Sequence, residues 1–237
     1  MGYGYQEYNY ESAAPRTFGE MPGLWTKIFG MTTDFFAREA PRASGSVTII
    51  NVLLATVIGA IFAVLSSLIS MVVYGTNANY GVGFVLGAGC GGFIFGLLGF
   101  YVSNGIYYLL ARLFGGKGSF GTQTYLVSLF IVPVTLITGV LSLLSAIPCV
   151  NIITGLLILG VSIFSLVLYV RVIAASHNLD TGKSIAVILI PMVLMFLLLC
   201  CLSVAGILLL GPVMEEIFEE IMWELQNMYL MGMFQIR

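Results

Sequence analysis

Charge is what this sequence has least of. Of its 237 residues only 8% are Asp, Glu, Lys or Arg, where a soluble domain carries about 25%. No charged residue lies between Arg42 and Arg112, a stretch of 69 residues, and two more such gaps follow: 53 residues between Lys117 and Arg171, and 31 between Lys183 and Glu215. Hydrophobic residues make up 59% of the chain, and the mean hydropathy is +1.04. No soluble fold has an interior for that much apolar surface, so lipid is the expected solvent. At about 20 residues per helix the three gaps hold two, two and one spans. A net charge of -2 excludes nucleic acid as a partner.

Reactive side chains are also scarce. The four cysteines, Cys90, Cys149, Cys200 and Cys201, show no CxxC or CxxH spacing, so neither a disulfide framework nor a zinc site is indicated. They are expected to be small buried hydrophobes. His177 is the only histidine and is expected as a solvated residue of the polar turn SHNLDTGK. No ionisable side chain falls deep within a predicted span, where ion-coupled transporters and intramembrane hydrolases carry theirs. The expectation is therefore no catalytic, cofactor-binding or metal site, and no enzyme. Asn51, Asn104, Thr135, Thr138 and Ser142 are left as polar groups within spans. They suit hydrogen bonds between helices; a path for a small neutral solute, making the chain a channel or carrier, is the alternative.

The fold class expected is an all-α integral membrane protein with five transmembrane helices and flanking amphipathic helices. Residues 1–22, with Tyr3, Tyr5, Tyr8 and Tyr10, are polar and lack apolar periodicity. They read as a disordered tail, and not as a cleavable signal peptide. Residues 23–42 carry Leu24, Trp25, Ile28, Phe29, Phe35 and Phe36 at helical spacing. They predict an amphipathic segment lying in the headgroup region, with Trp25 as its anchor. Residues 43–211 form the five-span domain: about 47–74, a glycine helix ending near Ala111, about 124–145, a fourth span ending near Ala174, and about 184–210. Pro133 and Pro191 fall inside the third and fifth and are expected to kink them. Gly211-Pro212 is expected to end the fifth. In residues 212–237, Met214, Ile217, Phe218, Ile221, Met222, Leu225, Met228 and Tyr229 recur every three or four positions, opposite Glu215, Glu216, Glu219, Glu220 and Glu224. This predicts an acidic amphipathic helix lying on the membrane or covering the bundle.

The second span is the most unusual stretch, GVGFVLGAGCGGFIFGLLGF. Gly83, Gly87 and Gly91 fall four apart, as do Ala88, Gly92 and Gly96, giving two small-xxx-small seams. This helix is expected to be the packing hub. GAGCGG within it matches GxGxxG, but a dinucleotide site needs a preceding strand and an acidic residue about 20 positions later, and the 69 residues around this run carry no charge at all. GGKGS (Gly115 to Ser119) departs from the phosphate-loop pattern at both ends: Ala111 stands where its first glycine belongs, and Gly118 follows the lysine where Ser or Thr belongs. It reads as a basic turn facing lipid phosphates.

Orientation follows from the cations. Lys27, Arg38 and Arg42 precede the first span, Arg112 and Lys117 lie in the second-to-third turn, and Arg171 and Lys183 bracket the fourth-to-fifth turn. The two opposite turns have none. Basic loops stay inside, which puts the N-terminus in the cytosol and the C-terminus outside. Lys27, Arg38, Arg112, Lys117, Arg171 and Lys183 are then the cytosolic-face contact residues.

LFGGKGSFGTQTYLVSLFIVP (Leu113 to Pro133) resembles the Yip-one domain family of Ypt/Rab-interacting membrane proteins. The positions that carry the likeness are Gly115, Gly116, Lys117, Gly118, Tyr125 and Pro133. A weaker likeness extends from Thr32 to Leu210, through DFFAREAP and GKSIAVILI. The resemblance implies five spans, a cytosolic N-terminus and action through partners. For eukaryotic members it implies small GTPases and traffic between endoplasmic reticulum and Golgi. FGEMPGLW stands where eukaryotic members carry an Asp-Leu-aromatic-Gly-Pro run, which points to a prokaryotic-type member in the cell membrane. The function expected is a multi-span scaffold or adaptor whose partners are membrane lipids, a second copy or another membrane protein.

Overall fold

The computed structural model describes residues 14–74 and 78–234, so the four tyrosines of the expected tail lie outside the described residues. The chain divides into two units, Met1–Leu189 and Ile190–Arg237. The described residues are helical and contain no strand. Two short helices, α1 (Met21–Trp25) and α2 (Thr33–Glu39), precede five long ones: α3 (Gly45–Tyr74), α4 (Ala78–Leu113), α5 (Phe120–Ser145), α6 (Asn151–His177) and α7 (Thr181–Phe234). Among the described residues, five helices are long and apolar enough to cross a bilayer. The protein is an integral, multi-pass membrane protein.

Local chemistry sets the helix ends of the first unit. Ser119 caps α5 by accepting the Thr122 N–H at 3.1 Å, and Asp180 accepts the Lys183 N–H at 2.8 Å at the start of α7. These side-chain acceptors satisfy amides that have no partner inside their helices. Asn178 closes α6 at a φ of 52°, a left-handed conformation that Asn tolerates. Gly115, at a φ of 89°, ends α4, with the Gly116 N–H reaching back to the Ala111 carbonyl at 2.8 Å.

Within this unit α3 packs against both α4 and α5, and α6 packs on the other side of α5. The centre is therefore α5, not the glycine helix α4. In its most apolar stretch 44% of α5 is buried, against 6% of α4. Gln123 to Phe130 form an unbroken buried run at the start of α5. Phe130 meets Tyr169 of α6 edge to face at 5.3 Å, a favoured aromatic geometry. Hydroxyls tie the far halves together: Ser66 to Ser142 across α3 and α5 at 3.2 Å, and Ser145 to Thr154 across α5 and α6 at 3.0 Å. Between helices in lipid such contacts replace the hydrophobic drive.

The segment before α3 departs from the expectation. It is broken into short helices and packs inward. Met21, Leu24, Met31 and Phe36 are buried in the same cluster as Tyr125, Phe130 and Leu168, so the segment closes one end of the bundle. Order begins inside the stretch expected to be disordered to residue 22. The Arg16 N–H bonds to the Arg42 carbonyl at 3.3 Å, and its guanidinium holds Glu39 through two bonds of 3.1 and 2.7 Å. A polar composition hid this because the ordering comes from the ion pairs of Arg16 with Glu20 and Glu39 and from one buried methionine, Met21. Trp25 is half-buried, edge-on to Phe18 at 6.2 Å.

Two further expectations are corrected. All four cysteines are exposed; an apolar thiol on the outside of a helix is compatible with lipid contact. The fifth helix does not stop at Gly211-Pro212: its apolar, membrane-length stretch is Thr181–Leu208, and α7 continues past it to Phe234. One proline removes only one amide donor, and the helix continues past it. In the second unit, Phe218, Ile221, Met222 and Leu225 lie on this continuous helix with Glu215, Glu219, Glu220 and Glu224. The side chains of Met214, Glu216, Ile217, Met228 and Tyr229 are outside the described residues. Pro133, buried in α5, and Pro191, in α7, interrupt neither helix.

Candidate functional site

The connections put the ends of α4 and α6 beside the starts of α5 and α7. The closing segment joins them there, with α1 on α5 and α2 on α6. Arg171 donates to the Met31 carbonyl at 2.8 Å, fastening the segment to α6. The basic residues thus collect at one end of the first unit. Lys27, Arg38, Arg112, Lys117 and Lys183 are exposed there, and Arg171 is half-buried. Lys183 stands 4.0 Å from Asp180. The Arg38 Nε donates to the Asp34 carbonyl at 3.2 Å. The Arg112 guanidinium lies 5.9 Å from the Tyr108 ring centre, within cation–π range.

His177 is the largest departure from the sequence reading. It is 1% exposed. Its Nε2 lies 2.9 Å from the Gln123 Oε1. Gln123, also fully buried, uses its Nε2 to donate to the Asn104 backbone carbonyl at 2.9 Å and to its Oδ1 at 3.3 Å. Asn104 in turn donates to the Phe100 carbonyl at 2.8 Å. Because Gln123 Oε1 can only accept, His177 Nε2 carries the proton. One buried polar chain therefore couples α6, α5 and α4. A histidine beside a turn-forming Asn-Leu-Asp looked solvated; the matching partner, Gln123, is 54 positions away and carries no local signal.

The glycine turn is explained by the same contact. The Lys117 N–H donates to the His177 carbonyl at 3.1 Å. A Cβ on Gly116 would stand 2.8 Å from both the Ala111 carbonyl oxygen and the His177 Cβ, and one on Gly118 would overlap the Ser176 carbonyl. Backbone approach to α6 requires these glycines. Lys117 is left pointing its charge outward between them.

The closing segment is held by charge. The paired hydrogen bonds that the guanidinium donates to Glu39 raise the Arg16 pKa above its ordinary value. The Thr17 N–H, and then Arg16, hold the exposed Glu20 carboxylate below its ordinary range. Neither residue was singled out in the sequence, although Thr17 and Glu20 have capping-box spacing and form the box.

The small-residue seams of α4 divide. Gly96 and Gly92 face α3: a Cβ on Gly96 would meet the Thr56 methyl at 3.2 Å, and one on Gly92 the Ala60 Cα at 4.0 Å. Gly89 makes the closest approach, 2.8 Å from a Val64 methyl. Gly83 and Gly87 have no described neighbour within 4 Å, and Gly91 has only Phe95 of its own helix. The polar residues weighed as a solute path sit mostly in helix contacts: Asn51 with Ser128 at 3.3 Å, Asn104 with Gln123, and Ser142 with Ser66. Thr138 bonds to the Val134 carbonyl of its own helix, and the Thr135 methyl packs at Gly59.

Comparison with protein families matches residues 31–202 to the Yip1 domain. Neither a curated protein nor a solved structure matches the chain.

Proposed function

This chain belongs to the Yip1 domain family, and from that premise we propose that it is a non-enzymatic membrane scaffold or adaptor whose working surface is the basic end of the bundle. The observation that carries the reading is the gathering of five exposed cations on an end sealed by the closing segment and braced by the His177–Gln123–Asn104 chain. A braced surface presents its charges at fixed spacing, which suits recognition of an acidic protein face. With basic loops inside, this end is cytosolic and the C-terminus lies outside. The partner is another membrane protein or its soluble associate. A second copy packs on the free row Gly83, Gly87 and Gly91 of α4, because small residues let helices in lipid approach closely.

The test is pull-down of native partners in mild detergent with the triple variant Lys27→Glu, Lys117→Glu, Lys183→Glu. Loss of the partners that wild type retains, at unchanged elution volume, supports the reading; an unchanged set of partners sinks it. For self-association, Gly87→Leu with Gly91→Leu should lower the oligomer mass, and an unaltered mass argues against that row. Reporter tags on the two ends should appear in different compartments.

A further inference from the structure

The second unit is one helix, and it outlasts the membrane. The apolar, membrane-length part of α7 ends at Leu208, and the helix continues unbroken to Phe234. The extension is roughly 39 Å long, at about 1.5 Å per residue. To lie flat on the bilayer it would need a bend near a right angle at its root, well beyond a kink inside an intact helix. It therefore stands in water. Phe218, Ile221 and Leu225 are nevertheless 64%, 50% and 51% exposed. A contiguous apolar row in water marks an interface.

Its spacing says which kind. Ile207, Gly211, Met214, Phe218, Ile221 and Leu225 follow one another at alternating steps of four and three, and the rhythm runs back to Ile190 without meeting a charged residue. This is the heptad seam of a coiled coil, its a and d positions recurring every 3.5 residues on average. The glutamates all stand off the seam: Glu216, Glu219 and Glu220 at the outward f, b and c positions, Glu215 at e and Glu224 at g. Among residues 218–225, Met222 flanks the seam and Trp223 is the one apolar residue placed opposite it.

A second copy of this chain fits the seam on two grounds. Copies that share a topology in one membrane present their α7 helices parallel and at the same height, so identical seams meet in register. In such a pair each g position faces the e position of the following heptad. Glu224 then meets Tyr229, and Glu215 meets Leu210, so no glutamate faces another. We propose that the extension of α7 beyond Leu208 pairs with that of a second copy as a parallel coiled coil along Met214, Phe218, Ile221 and Leu225. The contact is separate from the glycine row of α4 and does not rest on it.

Cysteine substitution along residues 218–225 of the full chain, its four native cysteines changed to alanine, tests this in native membranes under mild oxidation. Phe218→Cys, Ile221→Cys and Leu225→Cys should each give on the order of tenfold more disulfide-linked dimer than Glu219→Cys, Glu220→Cys or Trp223→Cys, because only Cβ atoms of the seam come within bridging distance. Adding Ile221→Lys to Leu225→Cys should lower its dimer on the order of tenfold, since the seam then buries a charge; adding Trp223→Lys should not. The readout is the period along α7, which association through α4 does not set. Equal dimer from every face, no dimer at any position, or seam cysteines joined to a different protein would overturn the proposal.

Discussion

Helices α4 and α5 look alike as strings of apolar residues, yet they live differently. The most apolar stretch of α5 is 44% buried and that of α4 is 6% buried. The face that α5 buries begins with Gln123, Thr124, Tyr125 and Ser128, whereas α4 turns Gly83 and Gly87 away from the rest of the described chain. In this bundle, then, the inward face is marked by polar side chains with partners, and five of the eight described glycines of α4 are spent elsewhere. Lipid does not penalise an exposed leucine, so hydropathy says nothing about which face is inside.

The sharpest way to break the comparison is one substitution on each helix. A Cβ on Gly139 of α5 would overlap the Phe62 ring. Gly139→Leu should therefore cost about 3 kcal/mol or more, as overpacking does at its worst. Gly87→Leu should leave the thermal midpoint of the monomer in detergent unmoved. Equal losses would mean that the two helices are equally central.

Gln123→Leu comes next. It strands His177 and Asn104 in the interior and should cost about 1–3 kcal/mol. Ser103→Ala on α4 removes only a hydroxyl shared between the helix's own Gly99 and Phe100 carbonyls and should be near neutral. Chemical denaturation of both variants in mixed micelles reads the difference.

Arg16→Ala extends the contrast to the closing segment. It leaves Glu39 buried without its cation, a cost of about 1–3 kcal/mol once the partial exposure of the pair is allowed for. Limited proteolysis should then cut within residues 16–42 while α3 to α6 stay intact. Uniform digestion of the whole chain would show that the segment and bundle unfold together.

The smallest effect is that of pH on Glu20. Its carboxylate is held below the ordinary value of 4.5, so its contribution is complete above that value and is lost as pH falls through the lower folded one. Protease protection of the segment should be flat from pH 7 to 5 and decline modestly below 4.5. Weakening on raising the pH would contradict the assignment.

The five spans and the basic end were legible because charge gaps and cations report directly on lipid and on loops. The inner face of each helix was not. Helical periodicity finds a core only where the outside is polar, and here both sides are apolar. His177 and Gln123 were missed because each is an ordinary residue until the other is beside it. Arg16 and Met21 were missed because a segment fixed by an ion pair has the composition of a loose tail. The continuity of α7 through Gly211-Pro212 was missed because that dipeptide is a usual stop signal, yet one proline removes only one amide donor and the helix continues past it.

The single hydrogen bond from the Lys117 N–H to the last carbonyl of α6 has a mechanical meaning. The loop has no side chains on either flank to absorb a displacement, so whatever grips that lysine pulls on the axis of α6 itself. A tug at the rim is delivered, without slack, to the far hairpin that α6 shares with its neighbour.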